Sequence, residues 1–280
     1  MTREKNRMKD TMNKKILILD IDGTLVNTQK EITPNTYDAL MKVQEEGHII
    51  ALASGRPYRG MRQYIEVLGL DKKGGYAISF NGGMIVDCLT GKPVVEKRIP
   101  QKYVKQVYEY ALKNDIGMVT YEGDTAITGT RVDEYMKYEA RLNFLPLIEI
   151  PDFAEYVDFE VVKFLLTAEP EDKAPRCEQE LKELFMPELS VYRSEPYFIE
   201  ITTSGVDKAA TIPELLKILD IPRENSICCG DGFNDATMVG YAGIGVAMAN
   251  AQQIVKDNAD YITKSCDEDG LVEVIEKFIL

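Results

Sequence analysis

The stretch KILILDIDGTL, residues 15–25, decides how the rest of the chain is read. Ile16 to Leu19 form a short unbroken apolar run, the mark of a strand covered on both faces. The run stops at Asp20 and Asp22, two acids one residue apart. Side chains at i and i+2 of an extended chain point the same way, so both carboxylates should face one cavity. Held that close they repel, and either water or a cation must offset the repulsion. Gly23 lets the chain turn sharply behind them.

Outward from this strand the pattern alternates. Thr33 before Pro34 is an N-cap with proline in the first turn, and the helix TPNTYDALMKVQEEG ends at Gly47. HIIALAS (48–54) is a second buried strand, followed by GRPYRG and a helix to about Leu68; YAISFNGG (76–83) is a third strand closing in a glycine turn. This β-α-β-α-β order predicts a parallel sheet with right-handed crossovers. From about Met84 to Ser204 the rhythm changes to short Tyr- and Thr-rich strands with interspersed helices, an α+β module on an antiparallel sheet. From Asp207 the first rhythm resumes, with a helix over KAATIPELLKILD and strands at SICCG, IGVAMA and DYIT. The expected organisation is a flexible leader over 1–13, a parallel α/β core from 14–84 and 204–280, and an inserted module over 85–203. An insert of this kind suits a lid, with hinges near 83–86 and 203–206.

Composition removes several function classes. The net charge of −13 argues against nucleic-acid or anionic-membrane partners, which need a basic face. No apolar run approaches the roughly 18 residues of a membrane span. The leader MTREKNRMKDTMNKK is polar and lacks the apolar region of a secretory signal. Five scattered cysteines show no CxxC spacing and His48 is the sole histidine, so neither zinc nor a histidine-based nucleophile system is expected. The thiols read as reduced and buried in a cytoplasmic protein, and His48 as structural.

Three strands of the parallel part end in polar clusters: DIDGT after ILIL, SGR after IIALA, and GDGFND (230–235) after ICC. Ligands of open parallel sheets bind beyond the carboxyl ends of the strands, where these clusters fall. Asp231 and Asp235 add two carboxylates to Asp20 and Asp22. Four convergent acids without thiolate or imidazole are hard-oxygen chemistry and point to Mg2+. Against them stand Ser54, Arg56 and Lys208, donors suited to a phosphate oxyanion, so the set reads as a phosphotransfer site. GYAGIG (240–245) is not a dinucleotide loop, and no GxxxxGK[ST] segment or EF-hand spacing occurs.

The ordered set DIDGTL, ASGR, the lysine of SGVDKAATI, and GDGFND resembles the haloacid dehalogenase (HAD) superfamily of aspartate-dependent phosphatases. The position of the insert resembles a C2-type cap, and FNGG and GVDK place the chain nearest the Cof-type hydrolases. The resemblance implies a Rossmann-like core with an α+β cap. It also implies roles for individual residues: Asp20 attacks phosphorus to form an aspartyl-phosphate, and Asp22 serves as general acid and then base. Asp20, the Asp22 backbone carbonyl and Asp231 hold Mg2+, with Asp235 behind or bridged by water. Ser54, Gly55, Lys208 and Asn234 bind phosphoryl oxygens, Asn81 and Gly82 lie beside the phosphate, and Arg56 orients substrate or loop. Two departures are Asp207 and Ala209 flanking Lys208, where relatives more often carry Ser or Asn and Gly. Asp207 pairs with the lysine or caps the following turn.

The expected function is therefore a Mg2+-dependent phosphomonoesterase acting on small phosphorylated metabolites, above all sugar phosphates, as a monomer or weak homodimer. A phosphomannomutase-like phosphomutase and a non-catalytic phosphate sensor are the alternatives; intact Asp20, Asp22, Lys208 and Asp231 weigh against the sensor. In the insert, Tyr121, Glu122, Arg131, Tyr192 and Arg193 are candidate substrate contacts, although an exposed surface role is the more ordinary fate of each. Tyr103, Val107 and Tyr110, at helical spacing, read as core.

Overall fold

Strand β1 (Ile16–Asp20) is buried along its whole length and lies inside an eight-stranded sheet. In the computed structural model, which describes residues 14–280, β1 pairs in parallel with β2 (Ile49–Ala53) on one side and with β12 (Ser226–Gly230) on the other. The leader 1–13, expected as a loose tail, lies outside the described residues. Beyond β2 come β3 (Tyr76–Ser79), β4 (Met84–Asp87) and β5 (Lys92–Glu96); beyond β12 come β13 (Ile244–Ala247) and β14 (Tyr261–Ile262). Ile16, Leu17, Ile18 and Leu19 are withdrawn from water completely. Each is worth about 1.5–3 kcal/mol of burial, which makes β1 a rigid mount for Asp20 at its end.

Register sets where the strands end. Asp20 lies opposite Ala53 of β2, and Leu19 opposite Cys229 of β12. The residues just past these three strands, at positions 20–22, 54–55 and 231–235, therefore leave the sheet at one edge. Helix α1 (Pro34–Glu45) starts as expected at Thr33, whose hydroxyl accepts from the Thr36 amide at 3.2 Å, and packs against the last helix of the chain (Gly270–Phe278). His48 is structural: its Nδ1 accepts from the Lys15 amide at 3.1 Å, and burial lowers its pKa. All five cysteines are buried free thiols. No helix among the described residues is long and apolar enough to cross a membrane.

The chain divides into two compact units, and the boundary differs from the expected one. One unit runs to Gly55 and takes in Met61–Val95 and Asp207–Leu280; the other holds Arg56–Gly60 and Glu96–Val206. The MIVD segment, expected to open the insert at 84–85, is instead β4, antiparallel to β3 and part of the core sheet. A tight hairpin satisfies the edge of β3 locally, and β5 follows as an exposed outer strand. Pro93, with no amide proton to donate, suits such an edge. Residues 83–86 are thus hairpin rather than hinge, and the long insert leaves and rejoins the core unit at 95–96 and 206–207.

The inserted unit has a six-stranded sheet ordered β10 (Leu189–Glu195), β11 (Phe198–Thr203), β9 (Lys163–Thr167), β6 (Gly117–Glu122), β7 (Thr125–Thr128), β8 (Leu147–Glu149). It is antiparallel as expected except between β7 and β8. Alternate residues of its strands, among them Met118, Phe164, Leu166, Ile199 and Ile201, share a core with the helix residues Val107, Tyr110 and Leu181. Tyr103 packs at the margin of that core, its ring edge-on to Phe185 with 5.9 Å between centroids.

Candidate active site

Behind Asp20 the chain turns at Gly23 (φ +86°), and a Cβ there would stand 2.4 Å from the Asp231 carboxylate. Glycine is required twice, for its backbone angle and for the close approach of the two strand ends. That approach brings Asp20, Asp231 and Asp235 together: one oxygen of each lies within 4.8 Å of the others. Asp235, fully buried, accepts from the amides of Asp231 (3.0 Å) and Gly232 (2.8 Å) through one oxygen. Its other oxygen takes the Lys208 ammonium at 2.5 Å. Lys208, only 1% exposed, also donates to Asp20 at 2.6 Å.

Lys208 is aimed by the turn that carries it. The Asp207 carboxylate accepts from the amides of Ala209 (2.8 Å) and Ala210 (2.9 Å), so this departure from the family pattern caps a turn. The helix expected over KAATIPELLKILD is shorter and spans only Ile212–Leu219. The glycine turn after β3 meets the same segment: Gly82 (φ +94°) lies where a Cβ would touch the Asp207 carbonyl. Phe80 and Asn81 both hold left-handed angles there, +53° and +52°, a strain of about 1–3 kcal/mol apiece that fixed surroundings must sustain. The Asn81 amide donates to the Ser54 carbonyl at 3.0 Å, and the Asn81 side-chain oxygen accepts from Asn234 at 3.0 Å. A Cβ on Gly55 would sit 3.1 Å from the Asn81 amide group. Ser54, Gly55, Asn81, Gly82, Lys208 and Asn234 are thus linked around one edge of the sheet. Arg56 belongs to the short segment Arg56–Gly60 that groups with the inserted unit.

Asp22 corrects the expected convergence of four acids. Its carboxylate stands outside the trio, partly exposed, and pairs with Lys30 at 2.8 Å. The chain bends at once after Asp20, so the simple i, i+2 rule of an extended strand does not carry through the turn. Two further residues belong to the site and do not stand out in the sequence. Thr24 donates to Asp231 at 3.2 Å, and Asn250 reaches both Asp231 (3.3 Å) and the Gly23 carbonyl (2.9 Å). Asn250 follows the end of β13, a fourth parallel strand end with a polar residue, and that position is the signal by which it can be found.

The electrostatics are unbalanced. Burial, then the neighbouring Asp235, push Asp20 up to about 8 against the pull of Lys208. Burial and Asp235 likewise lift Asp231 to about 6, with the Thr24 hydroxyl opposing. Burial disfavours the charge on Lys208, yet Asp20 and Asp235 outweigh it and hold its pKa above the ordinary value. One ammonium serves three carboxylates, and the donor atoms are all hard oxygens. The residues present fit a small divalent cation, which would relieve the surplus negative charge. In the inserted unit, four of the candidate contacts are engaged internally. The Tyr121 hydroxyl donates to Glu139 at 2.9 Å, Glu122 accepts from Tyr156 at 2.8 Å, Tyr192 donates to Glu200 at 3.1 Å, and Arg193 pairs with Glu178 at 2.7 Å. Tyr121 is buried rather than on the surface, and Arg131 is exposed.

This arrangement has relatives. The Bacillus subtilis (strain 168) protein YxeH, named only provisionally as a phosphatase, is 30% identical over 95% of this chain and 98% of its own length. The 5-amino-6-(5-phospho-D-ribitylamino)uracil phosphatase YcsE of the same organism is 29% identical over 95% and 96%. Among solved structures, a haloacid dehalogenase-like hydrolase from Bacteroides thetaiotaomicron superposes with a TM-score of 0.87 at 39% identity, covering 94% of this chain and 99% of that one. The HAD subclass IIB sugar phosphatase BT4131 gives 0.77 at 28% identity, covering 94% and 98%. The sequence profile of the haloacid dehalogenase-like hydrolases matches residues 17–275, from the first buried strand to the last helix. With its strand-end carboxylates, its buried lysine and this match along nearly its whole length, the chain belongs to the haloacid dehalogenase-like hydrolases as a Cof-type phosphatase.

Proposed function

We propose that the protein is a Mg2+-dependent phosphomonoester hydrolase that acts on small phosphorylated metabolites, sugar phosphates above all, through an aspartyl-phosphate on Asp20. The observation that carries this reading is the buried trio Asp20, Asp231 and Asp235 with Lys208 donating to two of its members. Asp20, Asp231 and the Asp22 backbone carbonyl would hold Mg2+, which when bound supplies positive charge opposite the transferring phosphoryl group. Asp235 locks the loop that presents Asp231 and holds Lys208, and its contacts suit it to support the ligands from behind.

The chain's own residues divide the reaction. An Asp20 carboxylate oxygen forms a bond to phosphorus as the bond to the leaving oxygen breaks. Lys208 opposes the burial that favours a protonated Asp20, a bound Mg2+ would complete its ionisation, and the ammonium offers charge to the phosphoryl oxygens, with Ser54, Asn81 and Asn234 as neutral donors. Asp22, outside the trio and partly exposed, gives its proton to the departing alkoxide. It then takes one from the water that attacks phosphorus, which frees inorganic phosphate and restores Asp20. The sugar-phosphate assignment is supported by the sugar phosphatase among the similar structures, and the wider class of small phosphorylated metabolites by the 5-amino-6-(5-phospho-D-ribitylamino)uracil phosphatase. The experiment is a panel of phosphomonoesters assayed with Mg2+ and with EDTA. Turnover of alkyl phosphates that EDTA abolishes is expected. Turnover indifferent to EDTA, or confined to aryl phosphates, would overturn the proposal.

A further inference from the structure

We infer that Lys30 is a positioning residue for Asp22, holding its carboxyl group where its acid form can protonate the leaving group; this rests on the acid role proposed for Asp22. The Lys30 ammonium lies 2.8 Å from the Asp22 carboxylate. A flexible surface lysine in such a contact would count for little. Lys30, however, stands in a loop whose backbone is fixed. Asn27 closes that loop on itself: its side-chain oxygen accepts from the amides of Gln29 (3.0 Å) and Glu31 (2.9 Å). Its backbone amide donates to the Glu31 carbonyl at 3.0 Å, and its carbonyl accepts from the Lys30 amide at 2.9 Å. Asp267, from the far end of the chain, clamps the loop from outside by accepting the Thr28 amide (2.9 Å) and hydroxyl (3.0 Å).

Lys30 takes a left-handed angle, φ +64°, to fit this turn. A side chain with a Cβ accepts that angle at a cost, and Asn or Gly would fill a plain turn more readily. The loop therefore tolerates strain to set a lysine, and the lysine reaches Asp22. Asp22 in turn is the site carboxylate that stands outside the trio. The fixed loop, acting through Lys30, sets where the Asp22 oxygens lie. Misplacing a reacting group by about 1 Å can cost up to a hundredfold in rate, so a weak contact can have a large kinetic effect.

The test uses Lys30→Ala in the full chain with Mg2+, and compares two substrates by kcat/KM, which reports the first phosphoryl transfer. One is the alkyl monoester turned over fastest in the phosphomonoester panel. The other is p-nitrophenyl phosphate, whose leaving group departs without a proton. The expected result is a loss of about tenfold on the alkyl ester, less than about twofold on the aryl ester, and recovery of most of the loss in Lys30→Arg. In an Asp22→Asn background, Lys30→Ala should add nothing. Equal losses on both substrates would make Lys30 a phosphate-charge contact instead, and no loss on either would make it an ordinary surface charge; each overturns the inference. An unchanged melting temperature separates these outcomes from unfolding. If the unaltered protein itself hydrolyses no alkyl ester, the phosphatase mechanism has failed, not the assignment of Lys30.

Discussion

Each unit of this protein buries a lysine, and the two lysines have opposite settings. In the inserted unit Lys163, 2% exposed, pairs with Glu200 at 3.3 Å, and Tyr192 donates to the same carboxylate. The nearby Glu139 receives the Tyr121 hydroxyl. Phenol hydroxyls and one ammonium answer these acids, and no metal-holding cluster forms there among the described residues. In the core unit Lys208 meets Asp20 and Asp235 at once, with Asp231 beside them. A buried ion pair that is balanced by its own hydrogen bonds is part of the structure. One with surplus charge is a site suited to a ligand.

The comparison can be broken most severely at Asp20. Asp20→Asn should reduce turnover by at least about a thousandfold while circular dichroism stays unchanged, whereas Glu200→Gln should alter turnover far less. Activity retained in Asp20→Asn would refute the aspartyl-phosphate route. Next in size are the lysines themselves. Lys208→Met and Lys163→Met should each cost about 3–5 kcal/mol of unfolding free energy, because each strands buried carboxylate. In urea titrations Mg2+ should restore part of the loss in Lys208→Met and none in Lys163→Met. Equal rescue of both would erase the distinction between the two settings.

Metal and pH give a smaller effect. A carboxyl whose folded pKa is raised binds its proton more tightly when folded. It therefore favours the folded state in acid, and that contribution is lost as pH rises through the folded value. For Asp20 the window runs from 3.8 to about 8, and for Asp231 from 3.8 to about 6. The metal-free protein should thus lose stability from these groups between about pH 4 and about pH 8. Mg2+, which takes ionised carboxylates, should raise the melting temperature more at the upper end of that range than at the lower. At a hundredfold excess over its dissociation constant the gain is about 2.7 kcal/mol, and Asp231→Asn should remove most of it. A Mg2+ effect independent of pH would mean that the trio is not where the ion binds. The smallest effect is at Tyr192: Tyr192→Phe should cost about 0.5–1.5 kcal/mol and leave the Mg2+ response untouched, checked by melting with and without the ion.

How much of this is legible along the chain depends on the range of the interactions. β1, β2 and the cap at Thr33 depend on neighbours within a few residues, and apolar runs and turn chemistry carry such information. Asp20 and Asp231 stand out because strand ends of a parallel sheet collect polar residues for a reason, and Lys208 because it opens the expected helix KAATIPELLKILD. The MIVD segment reads wrongly as the start of the insert, because an antiparallel hairpin partner and a new module begin with the same kind of short strand. Asp22 reads as a fourth member of the acid cluster because the period-2 rule fails within a turn. Thr24 is silent in the sequence, and Asn250 is marked only by its place after the end of β13; the meaning of both lies in what they reach.

Residue types and spacing alone establish the chemistry on offer: hard-oxygen acids, a lysine, no usable thiolate or imidazole pair, and a parallel sheet to carry them. Folding in three dimensions settles how those groups share charge. It sets three carboxylates rather than four around Lys208, turns Asp22 to Lys30, and commits Asp207 to a turn. The physical reason is one of distance. Local spacing is written along the chain, but Coulomb energy and burial depend on separations of a few ångströms between strand ends that the chain reaches from opposite termini.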